Sequence, residues 1–341
     1  MSKWLEDLGE DEDVVVSTRI RVARNIEKYK FPNIISMEES DALTKEVLDA
    51  VKESEDIYKF YKIIDLSEIE KYVFVEEHLI SPGLLNIKEK SSFLLREDEK
   101  VTIMINEEDH IRIQVLLSGS NMEEGWRICS EIDDLIESKI NYAFHEKMGY
   151  LTSCPTNVGT GLRASIMVHL PCITMAGQLN GIMEELRKIG LTIRGLYGEG
   201  TKSLGHLYQI SNQTTLGEKE EHIIRKLNRV IYEVVNRERS TRNYLMETNS
   251  LVLEDKIYRS LGILKYNRMI SSKGAMFHLS NVKLGCDMGI IDGMDSKSII
   301  KLMIEIQPAK VQKSLNKTMI KEERDMNRSI IIRNRLKGLE E

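Results

Sequence analysis

A chain of 341 residues is too long for one ordinary hydrophobic core and comfortable for two, and its apolar (41%) and charged (30%) fractions are those of a globular protein. A formal net charge of -6 argues against a general affinity for nucleic acid or anionic membrane surfaces. The longest mostly apolar stretch, Ala164 to Gly177, is interrupted by His169 and Pro171, and the acidic amino terminus lacks the apolar core of a secretory leader, so a cytoplasmic protein is expected, with no membrane span.

In chain order, period-2 alternation predicts strands over Asp13 to Val22, Tyr58 to Ile64, Val101 to Asn106, His110 to Leu117, Ala164 to Leu170, Leu191 to Leu196 and Leu207 to Ser211. Helical periodicity predicts helices over Glu38 to Ser54, Met122 to Lys147, Ile173 to Lys188 and Leu216 to about Met246. The short turn Glu107-Glu108-Asp109 between two strands reads as an antiparallel hairpin. From Thr241 the pattern is amphipathic and helical, which places a domain boundary near residue 240 and makes 1–240 and 241–341 the two expected units. The fold class is α+β: a mostly antiparallel sheet flanked by helices, then a small, mainly helical carboxy-terminal domain. Cys129, Cys154, Cys172 and Cys286 show no paired spacing and read as reduced thiols rather than disulfides or a zinc site.

Alternation along the first strand puts Ser17, Arg19 and Arg21 on one face, and along the fourth it groups His110, Arg112 and Gln114. Arg163 closes the glycine loop 154–163, Cys-Pro-Thr-Asn-Val-Gly-Thr-Gly-Leu-Arg, and Arg194 lies on a later strand. Any one of these arginines is most simply a solvated charge, but the set, converging from separate elements, calls for an anion such as a nucleotide triphosphate. Two nucleotide motifs fail. Gly195 to Ser203 is one residue out of register for a phosphate loop, and Gly159-Thr160-Gly161-Leu162-Arg163-Ala164 lacks the preceding strand and following helix of a dinucleotide site. The arginines and the amides of Gly159 and Gly161 remain as candidates for holding phosphates. The acids Glu107, Glu108 and Asp109 sit in a turn where such a run is most often solvated; beside a phosphate site they suit a cationic acceptor, with Glu199 as a second acid.

The blocks Ser17 to Arg24, Asn106 to Arg112, Cys154 to Pro171 and Arg194 to Glu199 resemble, in order and approximate spacing, the signatures of the guanidino (phosphagen) kinases. The resemblance implies a glutamine-synthetase-like catalytic domain. It also implies ATP binding by Ser17, Arg19, Arg21, His78, Arg112, Arg163 and Arg194, a pair of catalytic carboxylates in Glu108 and Glu199, and an active-site thiol in Cys154. Magnesium is expected to be held by phosphates and water, with no protein ligand set for a metal. Members of that family carry a helical domain ahead of the Ser-Thr-Arg block, whereas here 16 residues precede Ser17 and the extra segment follows the catalytic region. That order is similar to the McsB-type bacterial protein arginine kinases, which mark proteins for a Clp-type protease in stress response and protein quality control. In the tail, Arg324, Asp325 and Arg328 resemble that group's allosteric phosphoarginine site, with Ser329 in place of its final alanine. An exposed charged helix with Arg324 and Arg328 on one face is the plainer reading of the same residues. The resemblance further implies a homodimer, protein substrates with accessible arginines, an activator protein and a Clp-type AAA+ partner. The alternatives are a small-molecule guanidino kinase and a catalytically silent phosphoarginine-binding adaptor.

Overall fold

A computed structural model of the chain describes residues 3–7, 9–195 and 203–337. Its strands are β1 (Val15–Arg24), β2 (Tyr58–Lys62), β3 (Ser92–Arg96), β4 (Val101–Ile105), β5 (Ile111–Ser118), β6 (Phe144–His145), β7 (Gly149–Tyr150), β8 (Leu162–His169), β9 (Leu191–Gly195) and β10 (Leu207–Asn212). Its helices are α1 (Met37–Val51), α2 (Glu68–Glu76), α3 (Met122–Glu137), α4 (Pro171–Met175), α5 (Leu179–Lys188), α6 (Glu220–Tyr266), α7 (Ser272–Asp287), α8 (Ser296–Glu305), α9 (Pro308–Ser314) and α10 (Lys321–Arg335). Eight strands form one sheet in the order β2-β3-β4-β5-β1-β8-β10-β9, and its pairings are antiparallel. The molecule is α+β, as its patterning predicts.

Alternation gives the sheet two apolar faces with different covers. Ile20, Val22, Ile113, Val115, Ala164 and Ile166 point to a core shared with α1, α3, α5 and the first half of α6. Val16, Phe93, Met104, Leu116 and Met167 point the other way, into a core completed by Trp4 and by α7, α8 and the second half of α6. The carboxy-terminal helices cover only part of this second face. Arg19, Arg21 and Arg163 occupy the rest.

Some boundaries differ from the sequence reading. The helix expected over Met122 to Lys147 stops at Glu137, and the chain turns into the small β6–β7 hairpin. The helix expected over Ile173 to Lys188 is two, α4 and α5, separated by Gly177 at φ +68°, a conformation that ends a helix. Strand β3 and helix α2 lie in segments without a clear periodic signal; α2 is set instead by the capping box of Ser67 and Glu70. Helix α6 continues across residue 240 and reaches Tyr266 as two helical segments joined at a kink, where Asn249 is non-helical (φ -144°, ψ 36°).

A buried ionic seam fixes α6 in place. Glu238 accepts hydrogen bonds from the amides of Cys172 (3.0 Å) and Ile173 (2.9 Å), capping α4, which has no side-chain cap of its own. Burial pushes this carboxyl upward, and Arg242, bonded to it at 3.2 Å, opposes the shift. Arg242 also pairs with Asp13 just before β1 (2.9 Å), whose main-chain oxygen accepts from Lys283 of α7 (2.9 Å). Among the described residues no helix is long and apolar enough to cross a membrane.

Candidate active site

The site begins with β1. Arg21 lies opposite Gln114 of β5 on one side and Arg163 of β8 on the other; Arg19 lies opposite Leu116 and Ser165; Arg194 of β9 lies opposite Gln209 of β10. Cross-strand partners project to the same face. Arg19, Arg21, Arg112, Arg163 and Arg194 consequently line one cavity of about 380 Å³ together with Glu108, Cys154, Thr156, Asn157, Gln209 and Ser211.

Two of the cations are poorly compensated. The Nε atoms of Arg21 and Arg163 are buried with no hydrogen-bond partner. Burial pushes the Arg21 pKa far below the usual guanidinium range, and Arg19, Arg112 and Arg163 push it further. Arg163 is lowered by burial and then by Arg194 and Arg112. Arg19 is steadied by Gln209, to whose Oε1 it donates at 2.9 Å. Buried donors that lack acceptors, in a cavity of this size, fit the phosphates of a nucleotide.

The acids of the β4–β5 turn divide their work, and the solvated reading holds for only one. The Glu107 side chain is 6% exposed: it pairs with Arg112 (2.6 Å) and accepts from Ser81 (2.7 Å). Asp109 is fully buried, while Glu108 is 43% exposed, faces the cavity and accepts from Arg112 Nη2 at 2.9 Å. Asn106, in the left-handed region at φ +54°, makes the turn tight enough to place them so. His110 does not share the arginine face as alternation suggests. It precedes β5, is buried, accepts from the Ile26 amide through Nδ1 (3.0 Å) and donates from Nε2 to the Lys30 carbonyl (2.7 Å).

Cys154 enters from the opposite rim, its Sγ 3.0 Å from the Thr156 hydroxyl. Its loop is held by close backbone approach: a Cβ on Gly159 (φ +113°) would meet Thr215 O at 2.3 Å, and one on Gly161 (φ +64°) would meet Arg24 Nη1 at 2.5 Å. The glycine amides, expected to face phosphate, do not. Gly159 donates to Tyr150 O (3.3 Å) and Gly161 to Asn157 O (3.0 Å), because the loop needs them to hold its own shape. Beneath it Arg24 bonds Asp133 and Thr160 O and lies 3.6 Å from the Tyr150 ring centroid.

The remaining sequence candidates fall elsewhere. Ser17 is 2% exposed and outside the cavity lining. His78 lines a separate small apolar void with Trp4, Val16 and Met167, and burial plus the neighbouring Arg19 charge bring its pKa down to about 3. Glu199 lies outside the described residues. Arg328 is 1% exposed, so the fully exposed helix face does not hold for it: it donates to Ile306 O (2.8 Å) and Ile270 O (2.9 Å) and pairs with Asp325, while Arg324 donates to Met319 O (3.1 Å). Gln209 and Ser211 escaped the sequence reading, although both are polar positions alternating with the apolar Tyr208 and Ile210.

These features define an ATP:guanido phosphotransferase, and the chain belongs to that family: the model of its carboxy-terminal catalytic domain matches residues 39–241. A second family model, the protein-arginine kinase McsB C-terminal domain, matches residues 250–341. Similar curated proteins are the protein-arginine kinases of Halothermothrix orenii, 46% identical over 98% of this chain and 97% of the relative, and of Halalkalibacterium halodurans, 45% identical over 99% and 96%. Among solved structures, a lombricine kinase superposes with TM-score 0.59 at 24% identity (69% of this chain, 70% of that one). The duplicated taurocyamine kinase of Schistosoma mansoni with transition-state analogue components superposes with TM-score 0.63 at 21% identity (85% and 49%). The structural likenesses show the shared fold.

Proposed function

We infer that this chain is an ATP-dependent protein-arginine kinase, transferring the γ-phosphoryl group to the guanidino group of arginine side chains in proteins. One observation carries the reading: five arginines, an exposed glutamate and a thiol meet on a single cavity. The contact between Glu108 and Arg112 is chemically telling, because the carboxylate proposed to hold an acceptor guanidinium already holds one. When a triphosphate enters, Arg112 turns to it and Glu108 is released to the acceptor.

An arginine side chain has a pKa above 12, so presenting it neutral at pH 7 costs about 1.36 kcal/mol for each of roughly six units, or about 8 kcal/mol. Turnover near 10 per second allows a total barrier of about 16 kcal/mol, of which prior deprotonation would take half. The acceptor therefore binds charged. Glu108 aligns one nitrogen with the γ-phosphorus and takes its proton as the N–P bond forms, with Glu199 as second grip. Charge developing on the equatorial oxygens falls to Arg19, Arg21, Arg112, Arg163 and Arg194, and magnesium, held by the phosphates, supplies further neutralisation. Ser17 and His78, which lie outside the lining of this cavity, are not among the nucleotide's contacts in this reading. The Cys154 thiol stands beside the acceptor and helps to place it.

Residues 1–240 carry the chemistry in this reading. Residues 241–341 carry dimerisation and a phosphoarginine site at Arg324, Asp325 and Arg328, the marked proteins passing to a Clp-type protease. The test is incubation with Mg-ATP and, in parallel, an unfolded protein, free arginine and creatine. Acid-labile phosphate on the protein alone supports the assignment; label only on the small guanidines makes it a small-molecule kinase, and no label anywhere a silent adaptor. Cys154→Ala with full turnover would remove the thiol's catalytic role.

A further inference from the structure

Asp109 takes no part in the chemistry above, yet it is the point where the two reactive rims of the cavity are tied together. Its Oδ1 accepts from the Ser153 amide (2.6 Å), the residue before Cys154, and from Asn25 Nδ2 (2.7 Å). Asn25 accepts from the His110 amide through Oδ1 (2.9 Å) and donates to Leu151 O (3.0 Å). One buried node thus joins the hairpin bearing Glu108, the exit of β1 and the loop bearing Cys154. Its second oxygen, Oδ2, is buried with no hydrogen-bond partner. A buried carboxylate with an orphaned oxygen is a poor choice for stability alone, since well-packed uncharged groups serve that purpose as well or better.

We propose that Asp109 is a positioning residue that fixes the separation of Glu108 and Cys154, so that both reach one acceptor guanidinium at once. Reacting groups must be held to within about half an ångström, and both of these lie on turns rather than inside strands or helices. The Ser153 amide is the only hydrogen bond to Asp109 that comes from the thiol's own loop among the described residues, so it sets how far Cys154 leans toward the hairpin. A 1 Å misplacement in such a site costs on the order of 100-fold in rate.

The inference rests on the kinase reading for its rate test, but not for its thiol test. Asp109→Ala is expected to lower kcat about 100-fold with KM for ATP little changed, and to shift the rate at which iodoacetamide alkylates Cys154, followed on the Cys154 peptide by mass spectrometry. Asp109→Asn keeps an acceptor oxygen for the Ser153 amide and is expected to restore the alkylation rate and most of kcat. Ser153→Pro removes the same hydrogen bond from the exposed side without touching the core and is expected to reproduce the alanine phenotype even if Asp109→Ala does not fold. Ile136→Ala, in the core of α3, supplies a destabilised control. Overturning results are an alkylation rate unchanged in both Asp109→Ala and Ser153→Pro, or activity losses that track melting temperature as in the control. A wild-type protein with no kinase activity would sink the functional reading instead, leaving the alkylation comparison still decisive for the positioning role.

Discussion

Replacing Arg21 by methionine should make the nucleotide-free protein more stable while abolishing its response to ATP. Arg21 and Arg163 are direct cross-strand partners, and the Nε atoms of both are buried without acceptors. Two like charges on directly opposite side chains, at a spacing on the order of 7 Å and an effective dielectric of about 20, repel by about 2.4 kcal/mol. Unfolding entropy of about 2.1 cal/mol/K per residue over 341 residues gives about 0.7 kcal/mol/K, so relief of about 2 kcal/mol corresponds to a rise of about 3 °C in Tm. The wild type, by contrast, should gain about 2.7 kcal/mol from Mg-ATP at 100 times its Kd, or about 4 °C. Calorimetry of both proteins with and without Mg-ATP, at low and high salt, measures each term, and the apo difference should shrink as salt screens the repulsion. A lower apo Tm for Arg21→Met, or a nucleotide shift that survives the substitution, refutes the account of the cavity as a set of cations awaiting an anion.

Glu108→Gln should lower kcat by 100-fold or more with little change in KM for ATP, since it removes a proton acceptor and leaves the arginines intact; a change confined to KM would move the base elsewhere. Asp133→Ala breaks a buried ion pair and leaves Arg24, 1% exposed, uncompensated, so urea unfolding should show a loss of about 3–5 kcal/mol, and a loss below 1 would show that the Ala23 and Thr160 carbonyls satisfy Arg24 unaided. Burial holds the folded-state pKa of His206 near 4, below its usual 6.5, so the unfolded chain binds the proton first and stability falls as pH drops from 6.5 toward 4. His206→Asn should flatten the pH dependence of Tm in that window, and an unchanged slope would assign it to other groups.

Legibility in the sequence followed the regularity of the backbone. Period-2 alternation was enough to put Arg19 and Arg21 on one face and to put Arg112 on a face of its own strand; that these meet Arg163, assigned to a loop, and Arg194 needed the sheet order that the structure supplies. Alternation failed where chain direction changes. The three acids of the β4–β5 turn look equivalent as residues, yet Asn106 in the left-handed region sends Glu107 and Asp109 inward and only Glu108 outward. His110 sits one residue before β5, where alternation no longer applies, and the glycine amides of the Cys154 loop were consumed by the loop's own turns. Strand β3 was missed because Ser92 to Leu95 are all buried and so do not alternate. The split between α4 and α5 was missed because Gly177 is a single residue in an otherwise helical pattern.

Helix α6 has a mechanical corollary. Its 47 residues supply apolar side chains to both cores, from Ile223 to Val235 before the kink at Asn249 and from Leu253 to Leu264 after it. Two cores joined through one kinked helix have a joint built into the connection itself. The first segment is tied to β1 and α4 through Arg242 and Glu238, so bending of the second would concentrate at Asn249.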